Sequence, residues 1–493
     1  MVTAAKPDRW RIAASAVLVA ALCAVAGRYA ARVFDLSWRD YGEGPVLAMV
    51  ERMRHEPVSR HWIERPPYTL TCYGPGYYAT VLSVSQLTPW QKTVIPGRLV
   101  ALAAALGIAA LVAGVVARQT GRIEFGLFAG LLFLGSSVVS SWVPFHRVDT
   151  LAVLFAMAAY AAATSEKTRG LFAAAILIAA GSLVKQTAAL AAVPIFVHLL
   201  LRRRFRTAAG FAAGVALLGA GLWLAVDALS GGYFLTLAVR GNVNRPAVGH
   251  GLRLALGFLQ CPTALAGLLV AAWLVKNHAR TALGSLFFTA LVLGTLIAVP
   301  AAMKEGASIN YFLEPCALAA VVVGVHGLPP LGAAMPRRLP IALGVSGIVL
   351  AIPGLGDFPA KDDLPPAPPG SPSPVAGSAD DRSPLHPDWT LADGPWVDAV
   401  LAARDLPVVN DPFLFRLLVD NGTMQPDELL RAMTEGRIAW LYLARPVEAH
   451  RRAVGSELQR WPAPVIAAMH RLYTPVSQQQ NACIYRKKVI GTF

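Results

Sequence analysis

The chain has 493 residues, 55% of them hydrophobic and only 15% charged, a balance that excludes a soluble globular protein of this size. Its formal net charge of +15 would suggest nucleic acid in a soluble chain. Here the Lys and Arg residues fall mainly in short loops between apolar stretches, where membrane orientation accounts for them and nucleic-acid binding is not expected.

Apolar stretches recur in chain order at 11–31, 99–117, 125–141, 151–164, 171–201, 208–229, 252–275, 282–303, 311–334 and 339–355. Most are long enough to cross about 30 Å of hydrocarbon, and backbone hydrogen bonding then requires helices. The first follows Lys6, Arg9 and Arg11 as a signal sequence would. Arg28 and Arg32 close it without a small-residue cleavage site, so it reads as a retained anchor. The stretch 171–201 overshoots one span at about 1.5 Å per residue and must break near Lys185. The weakly apolar piece 77–87 is too short to cross and stays outside. With those two choices, about eleven spans bring the N-terminus and every short basic loop (118–122, 167–169, 202–206, 276–280 and 337–338) to the cytoplasmic face.

The external face then carries the loop 33–98, the link 142–149, the break 185–187, the loop 230–251 and the turn at Lys304 and Glu305. Arg240, Arg245 and Arg253 violate the charge rule there: either the bias fails locally or they await an anionic ligand. The five cysteines, at 23, 72, 261, 316 and 483, show no metal or redox spacing. A Pro-rich linker over 358–395 cannot pack. Beyond it, 396–493 reads as a small external α/β domain, with a helix ending near Arg404, strands at 406–410, 438–444 and 482–487, and helices at 413–420, 426–435 and 461–471. It shows no nucleophile–base grouping, so binding or stabilisation is its expected part. The expected fold is an all-α polytopic membrane domain over 1–357 followed by this soluble domain.

The external segments hold the residues that could carry chemistry. The first loop opens with Asp35, Asp40 and Glu43. Asp40 and Glu43 are three apart, so one helical turn would give them a common face, as a base or a divalent-cation site requires. Tyr73, Tyr77 and Tyr78 follow among turn-forming Pro and Gly and offer stacking surface or interface anchoring. His146, Arg147 and Asp149 stand at the mouth of the next span, where an N-cap is the plainer reading of Asp149. Lys185 sits at the broken helix beside Gln186 and needs a phosphate or carboxylate partner unless it snorkels to the headgroups. Lys304 and Glu305 precede Asn310, Tyr311 and Glu314, which enter a span one helical turn apart.

These motifs, in this order, resemble the GT-C superfamily of polyprenyl-phosphate-sugar-dependent glycosyltransferases, the bacterial relatives of protein O-mannosyltransferase and of the lipid A aminoarabinose transferase. The resemblance runs over roughly 30–320 and is carried by Asp40-Tyr-Gly-Glu43, Tyr73-Gly-Pro-Gly-Tyr77-Tyr78, Arg147-Val-Asp149, Leu183-Val-Lys185-Gln186-Thr187 and Gly306-Ala-Ser-Ile-Asn310-Tyr311. It implies inverting transfer of a sugar from a polyprenyl phosphate to a glycan, lipid or protein acceptor outside the membrane. Asp40 would be the general base, Glu43 its assistant or a metal ligand, and Asp149 a second acid that orients acceptor or metal. Lys185 and Lys304 would hold the donor phosphate, with Tyr73, Tyr77, Arg147, Gln186, Asn310, Tyr311 and Glu314 around the substrates. Relatives often place the acidic pair adjacently, whereas Tyr41 and Gly42 separate it here, which makes Glu43 or Asp35 the candidate base if Asp40 is not. Metal use differs among relatives, so a divalent cation, Mg or Mn, on Asp40 and Glu43 stays open.

The Ala-, Gly- and Arg-rich composition suggests a bacterium, hence an inner membrane with the active face and the C-terminal domain in the periplasm. A secondary transporter is the main rival. It would show two similar halves and a midplane cluster of charges, and the sequence has neither. A non-catalytic assembly protein is the other, and its carboxylates would be dispensable. No Gly-rich nucleotide loop is present.

Overall fold

The computed structural model describes residues 9–35, 40–335, 338–352, 391–392, 407–456, 459–479 and 482–488. Among them, four helices are long and apolar enough to cross a bilayer: Arg9–Phe34, Ile95–Thr120, Phe205–Leu229 and Ile309–Ala334. Six further apolar helices are shorter, among them Ile123–Leu134, Asp149–Ala163, Leu286–Ala301 and Arg338–Ala351. Hairpins organise the bundle. Ile95–Thr120 turns at Gly121, in the left-handed region at φ 67°, and packs back as Ile123–Leu134. Phe205–Leu229 keeps only Ala208 and Phe211 buried, while Leu217, Leu224 and Leu229 stand exposed, the pattern of a helix whose solvent is lipid.

The expected break at Lys185 is present. Thr168–Val184 stops because Lys185 turns extended, at φ −151° and ψ 133°, before a 3-10 turn, Gln186–Ala191, leads into Ala192–Leu201. The expectation of one stretch at 252–275 is corrected. Val248–Gln260 and Pro262–Leu283 meet at 80°, because Pro262 cannot donate an amide to the preceding turn and holds Cys261 extended.

The first external loop is itself folded. Gly76–Gln86 packs between Glu43–His55 and Ile95–Thr120, so the piece 77–87 is a short helix buried through Tyr77, Tyr78, Val81 and Ser85. At the far end of the chain a four-stranded sheet has the order β1-β2-β4-β3, with β1 Leu391–Ala392, β2 Trp440–Leu443, β3 Tyr473–Gln479 and β4 Ala482–Lys487. β1 runs parallel to β2 and the other pairs are antiparallel, in a register that sets Leu441 against Tyr485. β3 was not foreseen, and β1 falls inside the stretch read as linker. The rest of that stretch, and the helix expected to end near Arg404, lie outside the described residues.

The strand expected at 406–410 is not part of this sheet. Its described residues lie along the first external loop instead: the Tyr68 amide donates to the Val408 carbonyl at 2.7 Å and the Asn410 amide to the Tyr68 carbonyl at 3.2 Å. The buried Asn410 side chain completes the junction, accepting from the Leu70 amide at 2.7 Å and donating to the Pro45 and Leu70 carbonyls at 3.1 Å each. These bonds give the Tyr68, Leu70 and Asn410 amides protein partners in place of water. The C-terminal unit is thereby fixed onto the loop that carries Asp40 and Glu43.

Candidate active site

Asp40 and Glu43 share a loop but face different partners. Glu43 opens its helix and is fully buried. Its Oε1 accepts from Arg98 Nε at 2.8 Å and the His146 amide at 2.7 Å, and its Oε2 from Arg98 Nη2 at 2.7 Å and the Asp40 amide at 3.3 Å. Asp40 Oδ2 accepts from the Gly42 amide at 3.0 Å and forms an ion pair with Arg147 Nε at 2.5 Å. Arg147 reaches it by lying across Gly42, where a Cβ would fall 1.8 Å from Nη1. The two-residue spacer has a physical use: it turns Glu43 inward and leaves Asp40, one-fifth exposed, at the edge. Asp40 Oδ1 accepts no bond from any described residue. Burial disfavours charge on Arg147, but the Asp40 carboxylate more than restores it and the guanidinium stays protonated.

A second group forms at the break. The Lys185 ammonium pairs with Asp149 Oδ1 and lies 4.8 Å from the Tyr311 ring centre and 5.7 Å from that of Tyr73. Asp149 also accepts from Asn310 Nδ2 at 2.6 Å and Trp142 Nε1 at 3.1 Å. Lys304 lies on the same Tyr311 ring, 5.6 Å from its centre, and donates to Asn242 Oδ1 at 3.1 Å. Gln186 donates to the Cys72 carbonyl, which ties the break to the first loop.

Two hollows meet at this group. A polar cavity of about 350 Å³ is lined by Tyr73, Arg147, Lys185, Gln186, Lys304, Asn310 and Tyr311. A smaller apolar hollow of about 60 Å³ runs between Asp149–Ala163, Leu286–Ala301 and Leu313–Val322 and is lined by Asp149, Ala152, Ile297, Ala298 and Glu314, with Lys185, Thr187, Asn310 and Tyr311 common to both. Glu314 accepts there from the Tyr160 hydroxyl at 2.7 Å. Asp40, Glu43 and Tyr77 line neither hollow: Asp40 lies beside the larger one, behind its lining residues Tyr41, Gly42 and Arg147, and Tyr77 is buried against His146 and donates to the Gly97 carbonyl at 3.2 Å.

The C-terminal unit forms one wall of the larger cavity through Asp411, Phe413 and Arg460, none of which the sequence singled out. Asp411 caps its helix, accepting from the Leu414 amide at 3.0 Å, and also accepts from the Tyr41 hydroxyl at 3.3 Å. Burial pushes its carboxyl above the ordinary range. Arg460 lies over Tyr41 at 4.6 Å. An Asp before Pro412 signals a helix start, but nothing local announces where that helix docks.

No family model matches the sequence, and no curated protein matches it. Among solved structures, the chain is similar to ArnT from Cupriavidus metallidurans bound to undecaprenyl phosphate, at a TM-score of 0.63 and 12% identity, over 95% of this chain and 98% of that one. It is also similar to the Archaeoglobus fulgidus oligosaccharyltransferase in its apo form, at a TM-score of 0.51 and 13% identity, over 98% of this chain and 75% of that one. Both neighbours are GT-C glycosyltransferases. The chain has the GT-C fold.

In this GT-C fold the acidic loop does not offer a ready cation site. Glu43 has both oxygens occupied, Asp40 Oδ2 is held by Arg147, and no group of three His, Cys, Asp or Glu side chains converges among the described residues. The donor set as arranged does not fit Mg or Mn, which prefer several oxygen ligands not already engaged by cations.

His146 gives the site a measurable acid limit. It is fully buried, with no hydrogen-bond partner at either ring nitrogen among the described residues, and burial together with Arg98 and Arg147 lowers its pKa to about 3. The unfolded chain takes up a proton near the ordinary value of about 6.5 that the folded chain refuses, so stability falls as pH drops from about 6.5 toward about 3, by up to about 1.4 kcal/mol per unit. Thermal unfolding in detergent across that window is expected to show the loss, and His146→Phe to flatten it relative to the wild type.

Proposed function

We propose that the protein is a membrane glycosyltransferase that moves a sugar, with inversion, from a polyprenyl phosphate to an acceptor on the periplasmic face of a bacterial inner membrane. In this reading the N-terminus is cytoplasmic, about eleven segments cross the bilayer, and the C-terminal domain is periplasmic. The observation that carries the reading is the meeting of an apolar hollow between helices with a polar cavity at Lys185, Asn310 and Tyr311. A lipid phosphate has these two halves: a chain that needs a dry path and an anion that needs cations where the path opens. The bound undecaprenyl phosphate of the C. metallidurans neighbour supports this class of donor.

The proposed chemistry uses the chain's own groups. Asp40 Oδ1 takes the acceptor hydroxyl proton while that oxygen attacks the anomeric carbon from the face opposite the phosphate. The bond from carbon to phosphate oxygen breaks, its electron pair stays on that oxygen, and polyprenyl phosphate leaves. Lys185 and Lys304 stabilise the charge that grows there, a stabilisation larger in the transition state than before it. Arg147 aims Asp40, while Glu43, behind it, positions the loop through Arg98. Asp149, read from sequence as orienting acceptor or metal, is assigned here to holding Lys185 and Asn310 in place.

Binding of polyprenyl phosphate to the reconstituted protein tests the reading. Lys304→Met removes a cation whose hydrogen-bond partner is a neutral amide, Asn242, so it leaves no stranded charge. It is expected to weaken binding about tenfold, the size of one charged hydrogen bond. Affinity equal to wild type in both Lys304→Met and Lys185→Met would remove the phosphate from this place.

A further inference from the structure

We infer that the C-terminal domain is part of the phosphate-binding side of the cavity, and that Arg416 is a positioning residue that sets Lys304 through Glu305. The inference rests on the proposed function for what Lys304 holds, but its geometry stands alone. Arg416, on the helix Pro412–Asp420, is fully buried and directs Nη2 to Glu305 Oε1 at 2.6 Å and Nη1 to Asp420 Oδ2 at 2.9 Å. Its guanidinium lies over Phe413 at 5.1 Å. Glu305 is 3% exposed, and Arg416 is its one cationic partner among the described residues.

A buried pair of this kind adds little net stability over an apolar contact, so its use is better sought in what it places. Glu305 adjoins Lys304 and begins the segment that delivers Asn310 and Tyr311. Its amide donates to the Arg245 carbonyl at 2.9 Å, and its carbonyl accepts from Asn244 Nδ2 at 2.7 Å. Gly306 then turns in the left-handed region, at φ 78°, where a Cβ would lie 2.8 Å from the Phe413 ring. The turn is thus gripped from both sides, by the loop at 244–245 and by the C-terminal helix. Two residues of that helix, Arg416 and Phe413, make the second grip. Downstream, Asn310 donates to Asp149 and Tyr311 underlies both Lys185 and Lys304. A shift of this turn moves one phosphate-facing lysine directly and the partner of the other at one remove.

Hydrogen exchange of the full-length protein in lipid, without ligand, tests the positioning, and polyprenyl-phosphate binding tests its consequence. Arg416→Met, and the double variant Arg416→Met with Glu305→Gln that strands no buried carboxylate because the part-exposed Asp420 keeps Arg245 at 3.5 Å, are expected to speed exchange at 304–311 by tenfold or more. The sheet β1–β4 keeps its wild-type protection, and affinity for polyprenyl phosphate falls about tenfold. Arg416→Lys, which keeps the charge and one donor, is expected to fall between and serves if the Met variants do not accumulate. Unchanged exchange at 304–311 in these variants overturns the inference. So does faster exchange there with unchanged affinity, which would make the pair an adhesive between domains. If the wild type binds no polyprenyl phosphate, the functional reading fails while the exchange result still decides whether Arg416 sets the turn.

Discussion

Asp40→Asn is expected to lower sugar transfer on the order of 10²–10⁴-fold, the range for loss of a general base, while donor binding changes little. Asparagine keeps the shape and can still accept from the Gly42 amide, so the turn at 40–43 survives. What disappears is the proton acceptor and the charge opposite Arg147. Because that guanidinium is left without its carboxylate, Asp40→Glu is the necessary companion: it restores the pair but moves the base by one methylene, and should recover part of the rate. Turnover at the wild-type level in Asp40→Asn would pass the role to another group, and Glu43 would be a poor heir because Arg98 and the His146 amide already occupy it.

Glu43→Ala is expected to have the largest effect on stability, about 3–5 kcal/mol, the range for removing one member of a buried pair. Arg98 and Glu43 are both fully buried. The truncation strands a guanidinium and orphans the His146 amide at the same time. Arg98 also donates to the Asp35 carbonyl at 2.8 Å, so its disturbance reaches the end of the first helix. Glu43→Ala should lower the thermal midpoint in detergent far more than Asp40→Asn does. Equal, small shifts would mean that the pair is not desolvated as the structure has it.

The sequence made the broken helix legible because length alone forbids a single span through 171–201, and Lys185 is the one Lys, Arg, Asp or Glu in it. It also placed Asp40, Arg147, Lys185 and Lys304 on one face by loop charge. It could not separate Asp40 from Glu43, because their difference lies in which arginine each meets, Arg147 or Arg98, and both come from other segments. The bend before Pro262 was readable from proline chemistry but hidden in a continuous apolar run. Asp411, Phe413, Arg416 and Arg460 were beyond reach for another reason. The helix that carries Phe413 and Arg416 behind the Asp411 cap is visible in the pattern, but its docking is set by Asn410 and Tyr68 meeting across 340 residues and more of chain, a contact that no periodicity encodes, and Arg460 lies on a separate segment.

The central claim is that this cavity releases polyprenyl phosphate from a polyprenyl-phosphate sugar. Reconstituted wild-type protein, given a panel of radiolabelled donors and membrane extract as acceptor source, is the direct test. The account predicts that at least one donor binds and that polyprenyl phosphate appears, with Asp40→Asn binding the same donor and releasing none above background. Failure of every donor to bind, in protein whose fold is intact, would contradict it.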